Sequence, residues 1–222
     1  THADPFEIHN LADDPTFSHK LSEMRHALSE WQNEIGDVGL IPEAEIEILE
    51  QDAGSRFAIL QSTTKNSSTE RRLAMLVDIA TSASEGPASI PKLLDALQNE
   101  DASIRYWAAT GIGNIGPAAT STLARVAESL NDPSPSVRIA AARAVAKLGS
   151  PHDALPVLEA ELQSDHQWGR LAAAIVLDEM DEEARPALPS LQQALLNQPN
   201  KYIVRVVNRA INELENTDHQ VP

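Results

Sequence analysis

The sequence predicts an all-α chain, an α-solenoid of about five helical hairpins preceded by an N-terminal amphipathic helix, and three observations predict it. Aromatic residues make up only 4% of the 222 residues, and no run of alternating β-branched residues supplies material for strands. Close to the first residue, apolar side chains recur at steps of four and three, which is the period of one helical face. From Gly54 onward the chain repeats itself, with arginines in phase at intervals of 33, 33, 32 and 35 residues.

The elements follow in order. A polar stretch from Asp4 to Pro15, DPFEIHNLADDP, resembles nothing later in the chain. Asp14 can then cap a helix whose first turn suits Pro15, and Phe17, Leu21, Met24, Leu28, Trp31 and Ile35 make one apolar stripe until Gly36 stops it. Such a stripe must lie on the repeat stack or on another molecule. A second row on the same helix, His19, Glu23, His26 and Glu30, has ligand types that suit zinc. It is offset by two residues from the stripe, so it falls on the solvent side, and no metal or other cofactor is expected. Residues 42–53 read as a linker or short helix. The organisation is therefore a tail and helix (1–41), this connection (42–53) and a repeat domain (54–222). Within the last, Ser62 to Thr69 reads as a surface loop and contains the sequon Asn66-Ser67-Ser68.

Each repeat reads as helix, turn, helix. The arginines in phase are Arg72, Arg105, Arg138, Arg170 and Arg205, one in each second helix, and Asp101, Asp132, Asp165 and Asn200 precede the last four at the turn. Prolines stand in phase in three first helices as Pro91, Pro156 and Pro189. A single hairpin cannot bury its own apolar face, but a stack shares one continuous core, and Ala108, Ala109, Ala141, Ala142, Ala173 and Ala174 let adjacent helices approach closely. The proline in the first helix, the Asp at the turn and the V-R-x-x-A-A run ending at Gly116 or Gly149 resemble HEAT repeats of the short form. The resemblance covers roughly Gly54 to Asn216. The outer units depart from it, with Met75 and Leu76 at one end and Asn208 and Arg209 at the other, as capping units do. The Arg and Asp positions are expected to pair as a ladder that holds the repeats in register, because the planar guanidinium can bond a carboxylate and carbonyls together.

The tail resembles another family. Asp4, Pro5, Glu7, Asn10, Leu11 and Ala12, followed by Leu21, Met24, Arg25, Leu28 and Trp31, are similar to the C-terminal end of bacterial formylglycine-dependent sulfatases, where D-P-x-E-x-x-N-L-A precedes a helix of the form L-x-x-M-R-x-x-L-x-x-W. The resemblance implies a parent enzyme that is periplasmic or secreted and acts on a sulfated substrate. The C/S-x-P-S-R pentapeptide that carries such an enzyme's nucleophile is missing from this chain. PSPSV at Pro133 to Val137 has neither the modifiable residue nor the arginine, and reads as a turn with an N-cap at Ser136.

Charge and composition narrow the partners. Lys plus Arg number 17 against 33 Asp plus Glu, a formal net charge of -16, which repels nucleic acid and anionic membrane surfaces. No apolar run approaches the roughly 20 residues a membrane span needs. With no cysteine, thiolate chemistry and disulfides are excluded. No residue is expected to break bonds, and the function expected is that of a non-catalytic interaction or positioning module. Its partner would be another protein or the parent catalytic domain, with a sulfated polymer reached only through the parent. The candidate interaction face is Trp107, Asn114, Arg143, Lys147 and Trp168, all in second helices. The alternatives are a free-standing repeat scaffold and a repeat-type lyase, the latter needing paired titratable groups in a pocket.

Overall fold

The computed structural model describes residues 8, 10–35, 37–63 and 67–219, the side chains of residues 33, 60–63 and 67–70 excepted. Asp4, Pro5, Glu7, Gly36 and Asn66, on which parts of the sequence argument rest, lie outside the described residues. Among those described there are α-helices and short 3-10 turns and no strand. The all-α solenoid is built of helical hairpins, α5 (Ile90–Ala96) with α6 (Ala102–Ile115), α7 (Leu123–Glu128) with α8 (Pro135–Lys147), α9 (Pro151–Leu162) with α10 (Gln167–Glu179), and α11 (Leu188–Ala194) with α12 (Lys201–Glu215); in the first unit α4 (Ser67–Ser82) packs on α6, and α3 (Arg56–Thr63) lies against the helix before it. They are preceded by α1 (Ser18–Ile35) and α2 (Glu43–Ala53). The loop expected from Ser62 to Thr69 is much shorter, since α3 runs to Thr63 and α4 starts at Ser67.

Second helices pack side by side in chain order, α4 on α6, α6 on α8, α8 on α10 and α10 on α12. The seam between α6 and α8 shows why small residues recur there. Val137, Ala141, Ala144 and Val145 are fully buried, and a Cβ added at Gly113 would come to 3.0 Å from the Cα of Ala144. Turns after the second helices need positive φ, supplied by Gly116 (φ 66) and Gly149 (φ 99). The fourth unit uses Asp181 (φ 49) at the corresponding place. Pro91 and Pro189 stand in the first turns of α5 and α11, where no backbone N–H is needed. Pro156 differs: α9 is already opened by Pro151, so Pro156 falls in the helix interior. The N-cap of α8 is also two residues earlier than expected. Ser134, not Ser136, accepts from the Val137 N–H at 3.3 Å, because Pro135 takes the first helical position.

The two leading helices behave differently. Asp14 does cap the start, accepting from the Thr16 N–H at 2.8 Å. Yet the stripe of α1 stays open: Met24, Leu28 and Trp31 are 61%, 53% and 54% exposed, and only Leu21 is half-buried. By contrast α2 is docked. Ile41, Ala44 and Ile46 are buried, and Gly54 ends the helix in the left-handed region with φ 83. No helix of the described residues is long and apolar enough to cross a membrane.

Candidate functional site

The arginine positions form an inter-unit ladder in the middle of the stack. Arg105 Nε and Nη2 donate to the two carboxylate oxygens of Asp132 in the following unit at 2.7 and 2.8 Å, while Nη1 donates to the carbonyls of Asn99 and Glu100 at 2.8 and 2.9 Å. One fork thus ties its own turn to the next. Arg72 binds Asp101 in the same sense. Burial pushes the Asp101 carboxyl up, but the Arg72 hydrogen bond and charge, with the Ser103 N–H, outweigh it and hold the group below its ordinary value. Arg105 is raised, chiefly by its hydrogen bond to Asp132.

From Arg138 onward the partners change. Arg138 keeps the carbonyls of Asp132 and Pro133, at 2.7 and 3.0 Å, but its carboxylate is Glu161 in α9, not Asp165. The unbroken α9 brings the buried Glu161 to the place that Asp132 holds one unit earlier, leaving Asp165 exposed. His166 caps α10 in its stead, accepting from the Gly169 N–H at Nδ1, 3.2 Å. Arg170 has a buried Nε with no hydrogen-bond partner among the described residues, and Arg205 is exposed.

The larger feature is a groove of about 470 Å³ between α2 and the second helices α6, α8 and α10. Polar contacts from Leu40 and α2 hold this segment across those helices. Trp107 Nε1 donates to the Leu40 carbonyl at 2.6 Å, Ser134 Oγ donates to Glu45 at 2.6 Å, and His166 Nε2 lies 3.1 Å from Glu47. Pro42, Glu43 and Ala44 make the near wall. The floor is a helical stripe from each of the three helices, of which Trp168, Leu171, Ala172, Ile175 and Glu179 on α10 are the longest. Trp107 and Tyr106 stand edge to face, with ring centroids 5.3 Å apart. Burial pushes the Tyr106 phenol up, so it stays neutral and acts as a hydrogen-bonding group.

Four of the residues expected on an interaction face, Trp107, Asn114, Arg143 and Trp168, line this groove. Lys147 is not among them and borders a small neighbouring hollow with Arg143 and Glu179. At the groove's rim Arg143 Nε donates to Glu179 at 2.6 Å and Nη1 to Asn114 Oδ1 at 2.9 Å, so one guanidinium bridges three second helices. Sequence reasoning missed Ile175 and the α2 wall. Ile175 carried a signal, a large apolar residue two helical turns after Trp168, whereas the docking of α2 is a long-range event with no local mark. The row His19, Glu23, His26 and Glu30 is exposed, with His26 paired to Glu30 at 3.3 Å and Lys20 to Glu23 at 2.8 Å. Among the described residues no group of three or more His, Asp or Glu is arranged to hold a metal ion.

Comparison with known proteins places the fold. A model of HEAT repeats matches residues 90–178 and 123–212, together more than half of the chain, and the chain belongs to the HEAT-repeat family. Among solved structures, the crystal structure of an engineered protein is similar over 91% of this chain and 93% of its own, with a TM-score of 0.51 and 20% identity. A designed armadillo repeat protein in complex with the peptide (KR)4 is similar over 91% of this chain and 95% of its own, with a TM-score of 0.50 and 18% identity. Among curated proteins, an ulvan-active sulfatase of Formosa agariphila is 46% identical over 44 residues. That match takes in 20% of this chain and 7% of the sulfatase.

Proposed function

We propose that this chain is the non-catalytic C-terminal HEAT-repeat region of a sulfatase-like protein and works as a protein-interaction module whose contact surface is the groove beside α2. The groove carries this reading: a large cleft with an apolar floor, aromatic anchors and a polar rim is what a protein segment needs in order to dock. The ionisable residues at its rim are engaged with each other, Arg143 with Glu179, which suits recognition better than catalysis. The designed armadillo neighbour, which holds a peptide, lends support by analogy of fold.

The sulfatase part of the reading draws support from the 44-residue match and from the open stripe of α1. In the parent the stripe would lie against the enzyme domain, the parent would be exported, and a sulfated polymer would be met by the enzyme and not by this acidic stack. The test has two arms. The reading frame upstream of Thr1 is expected to encode a catalytic domain with C/S-x-P-S-R, and the chain by itself is expected to leave 4-methylumbelliferyl sulfate at the buffer rate. A start codon or unrelated sequence upstream would turn the reading into a free-standing scaffold, and hydrolysis by the chain alone would overturn the non-catalytic role.

A further inference from the structure

We infer that the groove takes a segment of a partner protein with an apolar middle and Lys or Arg at its ends; this rests on the interaction reading above and adds the chemistry of the partner. Two observations carry it. The first is where the aromatics are. The chain has only 3 Trp and 2 Tyr, yet Trp107, Trp168 and Tyr106 line this one groove. Trp168 is 37% exposed and Ile175 41%, so the floor presents large apolar surface that the fold itself leaves open.

The second is the charge at the two ends. On the α2 side Glu43 lines the groove, at the start of a helix, EAEIEILEQDA, that has five acidic residues and no Lys or Arg. On the α10 side Glu179 lines the groove, and the acidic run continues past it along DEMDEE to Glu183, which borders the neighbouring hollow beside Arg143. Arg56 answers Glu43 and Glu50, while Arg143, Arg185 and Arg209 answer Glu179, Glu182 and Asp178. Each block stays net negative after these pairs are counted. A partner with cations at both ends meets favourable potential there and stacks its apolar middle, and the stems of its basic residues, on Trp168 and Ile175. An acidic or sulfated ligand would be repelled from both ends.

The experiment uses the whole chain and four short synthetic peptides, with Arg-Arg or Glu-Glu at both ends and either alternating Leu-Ala or all Ser between. Binding is read by tryptophan emission and by anisotropy of labelled peptide at physiological salt. The Arg-ended Leu-Ala peptide is expected to bind best, with about a tenfold loss for each of the two changes and for the Trp168→Ala and Ile175→Ser chains. Both replaced side chains are exposed, and circular dichroism of each variant confirms that it is folded. Equal binding of Arg-ended and Glu-ended peptides would overturn the charge part while leaving a docking groove. Equal binding of the Ser and Leu-Ala peptides with Arg ends, or undiminished binding by both folded variants, would show plain charge attraction and overturn the inference. So would failure of all four peptides to bind, while the upstream-sequence and hydrolysis tests of the module reading would be untouched.

Discussion

Asp178 occupies a position that Gly113 and Ala146 hold in the two preceding second helices, the tight seam where one helix crosses the next. It is only 9% exposed, and Oδ1 has no hydrogen-bond partner among the described residues. Arg209, which stands where earlier units have Ala109, Ala142 and Ala174, reaches Oδ2 at 3.1 Å from α12. Two departures from the small-residue pattern thus meet each other, but burial wins over the Arg209 charge and raises the Asp178 carboxyl above its ordinary value. Because the folded state holds that proton more tightly than the unfolded one, wild-type stability rises as pH falls through the raised value toward about 4, the unfolded value. Asp178→Ala is therefore expected to stabilise the chain by about 1 kcal/mol at neutral pH, with the gain shrinking in acid. Urea unfolding of both proteins at the two pH values checks it, and a destabilised variant at neutral pH would sink the argument. Two glycines separate backbone strain from crowding in the same way. A Cβ at Gly149 meets nothing within 4 Å, so Gly149→Ala should cost only the left-handed backbone, about 1 to 2 kcal/mol. At Gly113 the backbone angle is ordinary but Ala144 is in the way, and Gly113→Ala should cost about 1 to 3 kcal/mol through overpacking. Thermal unfolding of the two variants measures both costs, and an unchanged midpoint in either would remove its cause.

At the level of the elements, the ladder is worth most where it is buried. The Arg105 and Asp132 side chains are 13% and 9% exposed, so Asp132→Ala leaves a buried guanidinium short of its carboxylate and is expected to cost about 3 kcal/mol. Glu182 and Arg185 pair as well, but at 68% and 49% exposure, and Glu182→Ala should leave the midpoint of the same thermal melts unchanged. Asp101 sets a pH limit of the opposite sign to Asp178. Its depressed folded value means that its contribution is present above the unfolded value near 4 and is lost as pH falls through the folded one. These positions were legible in the sequence because the Arg and the Asp both recur with the period of the repeat. Glu161 was not, since it replaces Asp165 only once α9 runs straight through Pro156, and that depends on Pro151 opening the helix early. The groove was half legible on the same ground: second-helix residues such as Trp107 and Arg143 share a face by period alone. The wall made by α2 depends on Leu40 meeting Trp107, 67 residues away in the chain, and no periodicity encodes that.

For the whole molecule, the two leading helices make different claims on the stack. The stripe of α1 is left largely in solvent, and replacing Met24 and Leu28 by Glu is expected to leave the unfolding midpoint of the isolated chain unchanged. Removing residues 1–54 is a different matter, because it strips α2 from the second helices. It uncovers the surfaces that bury Ile41 and Ile46, each worth about 1.5 to 3 kcal/mol, and deprives Trp107, Ser134 and His166 of their partners. A loss of roughly 3 to 6 kcal/mol is expected, together with a red shift of tryptophan emission as Trp107 meets water. The groove also loses its near wall, so the truncated stack should bind the Arg-ended Leu-Ala peptide more weakly even where it is folded. Truncation with an unchanged midpoint and unchanged emission would mean that α2 does not rest on the second helices in solution. If α2 does rest there, it is a structural part of the repeat stack, and the groove is completed by residues that precede the repeats in the chain.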